Sequence, residues 1–372
     1  MLTDTGWFHD LSPYVWRISG DFGIRWYGVS YLLAFVIAYF LLRWLARRGV
    51  TPIPRDRIAD VMMLLVGGVI VGGRLGYIVL YDPALLIDFS GSAPWWGVLR
   101  LTNGGMSSHG GFLGVMAACW WIGKGFKDEH GNRIGACPAM HVMDMCAMVA
   151  PLGLMLGRLA NFVNGELLGK VIAKPGQPAP WWSVRYPQEI LERPLNTLSQ
   201  TPEQLGQIIG LSTQYMLPSE TAWEQGYLRV LEMIRNGNME LQAQLEPLIS
   251  ARYPTQFMQA FFDGLLVFIV VWAIAYKPRR VGVLGAWMWI VYALGRIPMD
   301  MVRLPDAGVS QFGPLTRGQG YSLLMLIAGI VALVVIHRVK RPYMGGWGSG
   351  TPLASEAGDA EGRAESKDDD SQ

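Results

Sequence analysis

The chain has 372 residues, of which 51% are apolar and only 16% are charged, and its formal net charge is +2. Ordinary soluble domains carry about 25% charged residues, and a nucleic-acid-binding domain would show a basic stripe on a polar surface, so the composition supports neither class. The charged residues lie between long apolar runs. Such runs cross lipid as helices, because lipid cannot satisfy backbone polar groups, so we predict an all-α, polytopic membrane helix bundle.

Seven apolar runs, taken in chain order, predict about seven transmembrane helices. Residues 1–26 lack the basic start and apolar core of a signal peptide, so we expect the first span to act as its own insertion signal. The predicted spans cover residues 27–46, 60–81, 108–124, 139–157, 257–276, 282–300 and 320–337.

Lysine and arginine residues are concentrated after the first, third, fifth and seventh spans. Cytoplasmic loops carry an excess of these residues, so the sequence predicts a periplasmic N-terminus and a cytoplasmic C-terminus. The residues concerned are Arg47, Arg48, Arg55, Arg57, Lys124, Lys127, Arg133, Lys277, Arg279, Arg280, Arg338, Lys340 and Arg341.

The segments around the spans differ in composition, and they divide the chain into five parts. An external arm or cap is predicted where a Pro-rich stretch leads into a polar, helix-forming stretch that cannot span lipid. A disordered tail is predicted where Gly, Ser and acidic residues dominate. The parts are an external segment at 1–26, the first four spans at 27–169, the arm or cap at 170–256, the last three spans at 257–342 and the cytoplasmic tail at 343–372.

Polar side chains near the outer ends of the spans give the strongest functional signal. An ionisable residue inside a span costs about 2.5–3.5 kcal/mol on insertion scales, so each one needs a reason. The predicted topology brings residues from five helices to one depth. They are Tyr27, Arg74, Tyr77, His109, Arg158, Asn161, Arg296 and Asp300, with Arg303 just beyond the sixth span.

The excess of arginines in this set favours an anionic ligand. Arginine stays protonated and holds phosphate through a planar fork of donors, and a phospholipid headgroup lies at this depth. Arg296 and Asp300 are four residues apart on one helix face and can pair. Gly110, Gly111 and Gly114 would allow a ligand or another backbone to approach closely beside His109.

Other interpretations of these residues stay open. Arginines near helix ends often extend to lipid headgroups without a further role, and glycines in membrane helices usually form packing faces. A serine hydrolase is disfavoured because the sequence has no G-x-S-x-G motif. It also has no HExxH, paired CxxC or Walker motif, so we predict no metal and no cofactor.

Six sequence blocks resemble those of bacterial phosphatidylglycerol–prolipoprotein diacylglyceryl transferases. GRLANFVNGELLG at 157–169 is similar to the signature of that family. The other blocks match in the same order along nearly all spans. They are RWYG at 25–28, GRLGY at 73–77, HGGFLG at 109–114, RYPTQ at 252–256 and YALGRIPMDMVRLPD at 292–306.

The resemblance implies an activity and a location. Enzymes of this family transfer a diacylglyceryl group from phosphatidylglycerol to the lipobox cysteine of a preprolipoprotein, which forms a thioether and releases glycerol phosphate in the first step of lipoprotein maturation. The implied partners are phosphatidylglycerol, lipobox-containing preprolipoproteins and membrane lipids, with no nucleic acid. The implied location is the bacterial inner membrane, with the active site toward its periplasmic face.

The resemblance also assigns roles to residues. The catalytic positions are His109, Arg158 and Arg296. The phosphatidylglycerol-binding positions are Arg158, Tyr27, Asn161, Glu166, Gly169 and Arg303, and the supporting positions are Arg74, Tyr292, Asp300, Gly110 and Gly111. His109 could act as general base or could orient the lipid.

The chain departs from the family pattern at three positions. Asp300 stands where the family has Glu, and Met258 and Gln259 stand where Tyr-Glu is usual. Two other functions remain possible from the residues alone. A flippase or transporter should place polar residues at the midplane, and a non-catalytic lipid-binding scaffold would need the arginines but not His109.

Overall fold

The computed structural model describes residues 6–19, 22–100, 104–304 and 315–348. The chain is mostly helical. Its helices are α1 (Trp26–Arg47), α2 (Ile58–Leu80), α3 (Ser108–Gly123), α4 (Ala139–Asn164), α5 (Glu189–Glu192), α6 (Pro202–Thr213), α7 (Trp223–Arg235), α8 (Met239–Leu245), α9 (Thr255–Gln259), α10 (Leu266–Ile274), α11 (Val283–Val302) and α12 (Arg317–Arg338), and a π-helical turn (Ala260–Leu265) joins α9 to α10.

Helices occupy the positions of all seven predicted spans. Within the described residues, five helical segments are long and apolar enough to cross a membrane: Trp26–Arg47, Arg55–Leu80, Ala139–Asn164, Thr255–Ile274 and Arg317–Arg338. The helices at the other two predicted spans, α3 and α11, do not meet this description, for different reasons. The helix α3 has only 16 residues, about 24 Å at 1.5 Å per residue, and α11 carries charged residues in its last two turns.

Short strands also occur, so the expectation of an all-α fold was too narrow. They are β1 (Trp7–Phe8), β2 (Tyr14–Ser19), β3 (Phe22–Arg25), β4 (Phe126–Lys127), β5 (Arg133–Ile134), β6 (Val171–Ala173), β7 (Val184–Arg185), β8 (Ala251–Arg252), β9 (Arg279–Arg280) and β10 (Tyr343–Met344). Most have two or three residues, which is too few for the alternating pattern that marks a strand in sequence.

The chain forms two compact units. The first contains Met1–Ala34, Pro151–Val267 and Val291–Ile327, and the second contains Phe35–Ala150, Phe268–Ile290 and Ala328–Gln372.

The first unit contains the segment that the sequence predicted as an arm or cap. The strands β6, β7 and β8 of this segment form a four-stranded sheet with β1 from the start of the chain. The order is β1-β7-β8-β6, with β1 parallel to β7 and the other pairs antiparallel. The helices α6, α7 and α8 supply an apolar cluster that includes Ile208, Val230 and Leu245, and Phe8 from β1 joins it. Burial of these side chains stabilises the segment, since each is worth about 1.5–3 kcal/mol relative to exposure.

A buried histidine ties this sheet to the end of α4. Nε2 of His9 lies 2.7 Å from the carbonyl oxygen of Phe162, and Nδ1 lies 3.0 Å from the side-chain amide of Gln188. Burial lowers the pKa of His9 from 6.5 to about 4. The ring is therefore neutral at pH 7, so that Nε2–H donates to the carbonyl and Nδ1 accepts from the amide.

In the second unit, α2 and α3 pack closely through glycines. A side chain at Gly110 would overlap the backbone at Gly72, and one at Gly114 would overlap the backbone at Gly68. Small residues allow such close helix contacts in membranes. Of the two expected uses of Gly110 and Gly114, close approach of another backbone or of a ligand, the structure shows the backbone approach. A Cβ on Gly111 would meet only the carbonyl oxygen of Val69, at 3.6 Å.

The second unit also extends past the predicted start of the tail at residue 343. The strand β10 pairs with β9, and Nε1 of Trp347 donates to the carbonyl oxygen of Trp272 at 2.8 Å. The Trp347 ring also packs against Trp44 and Tyr276. Aromatic packing thus orders the chain to Gly348, so the boundary at 343 was placed too early. The remaining tail residues, 349–372, lie outside the described residues.

Candidate active site

Two arginines of the first unit converge on one buried carboxylate. Oδ2 of Asp263 lies 3.3 Å from Nη1 of Arg296 and 3.6 Å from Nη2 of Arg158. Arg158 is on α4, Arg296 is on α11, and Asp263 is in the π-helical turn. Three separate helical segments therefore supply one ionic cluster, and it contains both arginines that the resemblance marks as catalytic.

A second carboxylate completes the cluster. Oδ1 of Asp300 lies 3.0 Å from Nη2 of Arg296, one helical turn along α11, which is the pairing that the four-residue spacing predicted. Gly318 in the first turn of α12 lies against Asp300, since a Cβ there would overlap Oδ2 of the carboxylate. The N-terminal end of a helix favours negative charge, so the start of α12 is a favourable place for this carboxylate.

The cluster contains two guanidinium groups and two carboxylates. The expected excess of positive charge is therefore absent from Arg158, Arg296, Asp263 and Asp300 taken together. A phosphate group entering here would compete with Asp263 for the arginines. Balanced charge lowers the cost of holding arginines in a buried place before the ligand arrives.

The two arginines differ in how firmly they are held. The side chain of Arg296 is 9% exposed and contacts two carboxylates, whereas that of Arg158 is 19% exposed and contacts one, at the longer distance. Arg158 is thus the more available of the two for an incoming anion. Arg296 is better suited to fix the cluster and to present its remaining donors.

A second polar network lies in the same unit, around Tyr27 at the start of α1. Its hydroxyl donates to Oε2 of Glu166 at 2.7 Å and accepts from the side-chain amide of Asn161. Asn164 also donates to Glu166, at 3.4 Å. The structure therefore brings together three of the predicted lipid-binding residues, one from α1 and two from the signature block.

The RYPTQ block holds the loop that follows α4. Nε2 of Gln256 donates to the carbonyl oxygen of Glu166 at 2.6 Å, and Oγ1 of Thr255 donates to that of Leu167 at 3.0 Å. Leu167 has a φ of 58°, a conformation that non-glycine residues rarely adopt. These bonds stabilise that backbone, and the block therefore has a positioning role.

Gly169 and Arg303 meet through their backbones in this loop. They form an isolated antiparallel bridge, flanked by a 3.0 Å bond from the amide of Leu304 to the carbonyl oxygen of Leu168. A side chain at Gly169 would overlap the carbonyl oxygen of Tyr253. Glycine is required here for close approach. Pro305 and Asp306, the end of the last sequence block, lie outside the described residues.

His109 belongs to the second unit, where it is the second residue of α3 and is exposed. The hydroxyl of Ser107 caps this helix by accepting from the amide of Gly110, at 3.3 Å. The cap uses the Ser107 oxygen for helix structure. This contact gives no support to a serine nucleophile beside His109.

Arg74 of the second unit is also accounted for by protein contacts. The guanidinium carbon of Arg74 lies 5.8 Å from the ring centre of Tyr77, and the residue is 6% exposed. Its guanidinium donates at 2.7–3.3 Å to the carbonyl oxygens of Gly97, Val98, Arg100, Gly104 and Gly105. These hydrogen bonds fix the conformation of the backbone between α2 and α3, and we interpret the predicted supporting role of Arg74 in this sense.

Asp263 was not predicted as a site residue, and Gln259 was noted only as a departure from the family pattern. Both side chains are 0% exposed, and both lie in or beside the apolar run predicted at 257–276. A carboxylate inside such a run is itself a functional signal, and it would have pointed to Asp263. In the described part of the chain, no group of three His, Cys, Asp or Glu residues could hold a metal ion.

Comparison with known proteins identifies the family to which the chain is similar. The profile of the family described as Prolipoprotein diacylglyceryl transferase matches residues 13–335. Proteins named phosphatidylglycerol–prolipoprotein diacylglyceryl transferase are similar over most of their length. The one from Bdellovibrio bacteriovorus is 36% identical over 92% of this chain and 97% of its own, and the one from Stenotrophomonas maltophilia is 32% identical over 89% and 94%.

Proposed function

This chain belongs to the prolipoprotein diacylglyceryl transferase family, and we propose that it transfers the diacylglyceryl group of phosphatidylglycerol to the lipobox cysteine of preprolipoproteins. The relatives carry this activity in their names. The single observation that supports it most directly is the shared carboxylate of Asp263 between Arg158 and Arg296. This carboxylate holds two arginine side chains, each able to bind phosphate through a fork of donors, within one buried cluster.

The chemistry of the reaction suits these groups. The thiol sulfur attacks the glycerol carbon that bears the phosphate, a carbon–sulfur bond forms, the carbon–oxygen bond breaks, and glycerol phosphate leaves with the electron pair. Arg158 binds the phosphate and neutralises the charge that develops on the leaving oxygen. Arg296 keeps Asp263 and Asp300 in place and donates to the same phosphate.

The network around Tyr27 is proposed to line the lipid-binding part of the site. Glu166 and Asn161 are fixed by the Tyr27 hydroxyl, and Gly169 with Arg303 forms the adjoining backbone. His109 is proposed to take the thiol proton. A thiol has a pKa of about 8.5, so only a few per cent is thiolate at neutral pH, and a histidine imidazole can accept that proton.

We further propose seven spans in the inner membrane, a periplasmic N-terminus and a cytoplasmic C-terminus. The helices at all seven predicted positions and the arginines and lysines after alternate spans support this topology. The residues 170–256 would then form a periplasmic cap, and the active site would open toward the periplasmic face. Single-cysteine probes at Gly131 and Glu203 would test it, with labelling expected from the cytoplasm and the periplasm respectively.

The activity is tested with the purified full chain in phosphatidylglycerol vesicles and a lipobox peptide. We expect glycerol phosphate release and a peptide mass increased by one diacylglyceryl group. A flippase would move the lipid without releasing glycerol phosphate, and a scaffold would bind it without either change. Absence of both products from folded protein would overturn the proposal.

A further inference from the structure

Gln259 carries a buried side-chain amide. Its side chain is 0% exposed, and neither Nε2 nor Oε1 has a partner among the described residues. Buried polar groups are nearly always hydrogen-bonded, and leaving one unpaired costs about 1–3 kcal/mol. The described residues thus supply no hydrogen-bond partner for this buried amide.

Asp263 presents a further unpaired atom on the same helix face. Its Oδ2 binds the two arginines, but Oδ1 has no partner among the described residues. Gln259 ends α9 and Asp263 lies four residues later, so the two side chains are neighbours on one face. Together they offer two acceptors, Oε1 and Oδ1, and one donor, Nε2.

The backbone at this point is also unusual. Residues Ala260–Leu265 form a π-helical turn, and such turns occur frequently at functional sites. Close packing holds the turn on both sides. A Cβ on Gly264 would come within 2.6 Å of Met155 on α4, and one on Gly295 of α11 would come within 3.1 Å of the carbonyl oxygen of Phe262. The turn therefore has little freedom to move the unpaired atoms toward other partners.

We propose that Gln259 and Asp263 form a subsite for the glycerol headgroup of phosphatidylglycerol, next to the arginines that bind its phosphate. This inference rests on the proposed function and identifies which part of the substrate the unpaired atoms contact. The two headgroup hydroxyls donate to Oε1 of Gln259 and Oδ1 of Asp263. One hydroxyl oxygen accepts from Nε2 of Gln259.

Other headgroups match these atoms less well. The ammonium of phosphatidylethanolamine has donors only, so it leaves Nε2 of Gln259 unpaired. Phosphatidic acid has the phosphate but no headgroup alcohol, so it leaves all three atoms unpaired. A site built to hydrogen-bond a hydroxyl discriminates strongly against analogues that lack one. The subsite therefore predicts a preference for a glycerol headgroup over phosphatidic acid.

The test is a comparison of lipid binding by purified wild-type protein and two variants. Binding of dioleoyl-phosphatidylglycerol and dioleoyl-phosphatidic acid is measured by native mass spectrometry, which needs no turnover. Gln259→Leu removes both polar atoms at similar volume, and Met258→Leu is the neighbouring control. We expect Gln259→Leu to reduce the preference for phosphatidylglycerol by about tenfold while phosphatidic acid still binds, and Met258→Leu to leave the preference unchanged.

A second variant keeps the test informative if Gln259→Leu folds poorly. Gln259→Met keeps the length of the side chain but lacks the amide nitrogen and oxygen, so it should also lower the preference. If either folded variant kept the wild-type preference for phosphatidylglycerol over phosphatidic acid, the subsite would be overturned. That result is also the one expected if a bridging water, and not the lipid, is the partner of the amide. Failure of the proposed function would look different, because wild-type protein would then release no glycerol phosphate whatever its lipid preference.

Discussion

Oδ2 of Asp263 lies 3.3 Å from Nη1 of Arg296, and the carboxylate is completely buried. Asp263→Asn keeps the shape but removes the charge that holds this arginine and Arg158. Breaking a buried ion pair in this way typically costs about 3–5 kcal/mol, so the thermal midpoint should fall. We expect kcat to fall by about tenfold or more because the arginines lose their fixed positions, while KM for phosphatidylglycerol does not rise.

Separate measurements of kcat and KM distinguish this positioning role from a structural one. Asp60→Asn is the matched control, since Asp60 forms a 3.2 Å pair with Arg57 that is about one-third exposed on each side. Surface pairs contribute about 0–1 kcal/mol, so this variant should behave as wild type. An unchanged kcat for folded Asp263→Asn protein would show that Asp263 contributes to stability but not to turnover.

Lysine at either arginine of the cluster keeps the charge but loses the planar fork of donors. We expect Arg158→Lys to lose most turnover with little change in thermal midpoint, because Arg158 has one contact at 3.6 Å. Arg296→Lys should lose turnover and stability together, because Arg296 contacts two carboxylates. Arg229→Lys, in the ion pair with Glu220, is the control. Near-normal transfer by both cluster variants would contradict the phosphate-binding role.

The contact of Gly318 with Asp300 gives a prediction about backbone approach. Gly318→Ala places a methyl group where Oδ2 of Asp300 lies, so the carboxylate must move away from Arg296 or α12 must shift. Turnover should fall by about tenfold to a hundredfold. Gly210→Ala on α6 is the control, because nothing lies within 4 Å of the added Cβ, and it should be neutral or stabilising by about 0.5–1 kcal/mol. Equal activities of the two variants would show that the contact has no consequence for the site.

The hydroxyl of Tyr27 connects the first helix to the signature block. Tyr27→Phe removes the 2.7 Å bond to Glu166 and the acceptor for Asn161. These groups are part-buried, so their loss of a partner should cost up to about 1–3 kcal/mol, and we expect a lower thermal midpoint and weaker phosphatidylglycerol binding. Tyr31→Phe is a matched control, since its ring stacks on Tyr27 at 6.3 Å and the substitution keeps the ring. A loss of the same size in both variants would show that the effect does not depend on the bonds of the Tyr27 hydroxyl to Glu166 and Asn161.

Local patterns accounted for much of what the sequence predicted correctly. Apolar runs of about 20 residues placed the long helices, and the spacing of Arg296 and Asp300 predicted their pairing, because both depend on residues close together in the chain. Asp263 stands out in the sequence only as a carboxylate inside an apolar run, and its pairing with Arg158 and Arg296 has no local spacing because these partners come from other helices. Gly110 remained ambiguous for the same reason, since only its contact with Gly72 of α2 distinguishes packing from ligand approach.

The short strands and the ordered start of the tail escaped prediction for a related reason. Strands of two residues carry no periodicity, and their pairing depends on segments distant in sequence, as for β1 with β7. The stretch after residue 343 was predicted to be disordered because Gly, Ser and acidic residues dominate the sequence that follows it. One aromatic residue, Trp347, orders its first part through contacts with Trp44, Trp272 and Tyr276.

His109→Gln separates the two roles that the sequence left open. Glutamine can still donate a hydrogen bond, but it cannot take up a proton at neutral pH. If His109 removes the thiol proton, the variant should lose about 10²–10⁴ of the rate at pH 7. His130→Gln, at an exposed position in the turn after β4, should leave the rate unchanged and controls for loss of a histidine.

The pH dependence of His109→Gln gives the decisive measurement. The free thiol has a pKa of about 8.5, so the thiolate fraction rises about tenfold for each pH unit below that value. The rate of the variant should therefore rise steeply between pH 7 and about 8.5, and its deficit relative to wild type should shrink. The wild-type rate should change less over this range, because the base already removes the proton. A deficit that stays constant across the range would assign His109 to lipid orientation, since an orienting contact is lost equally at every pH.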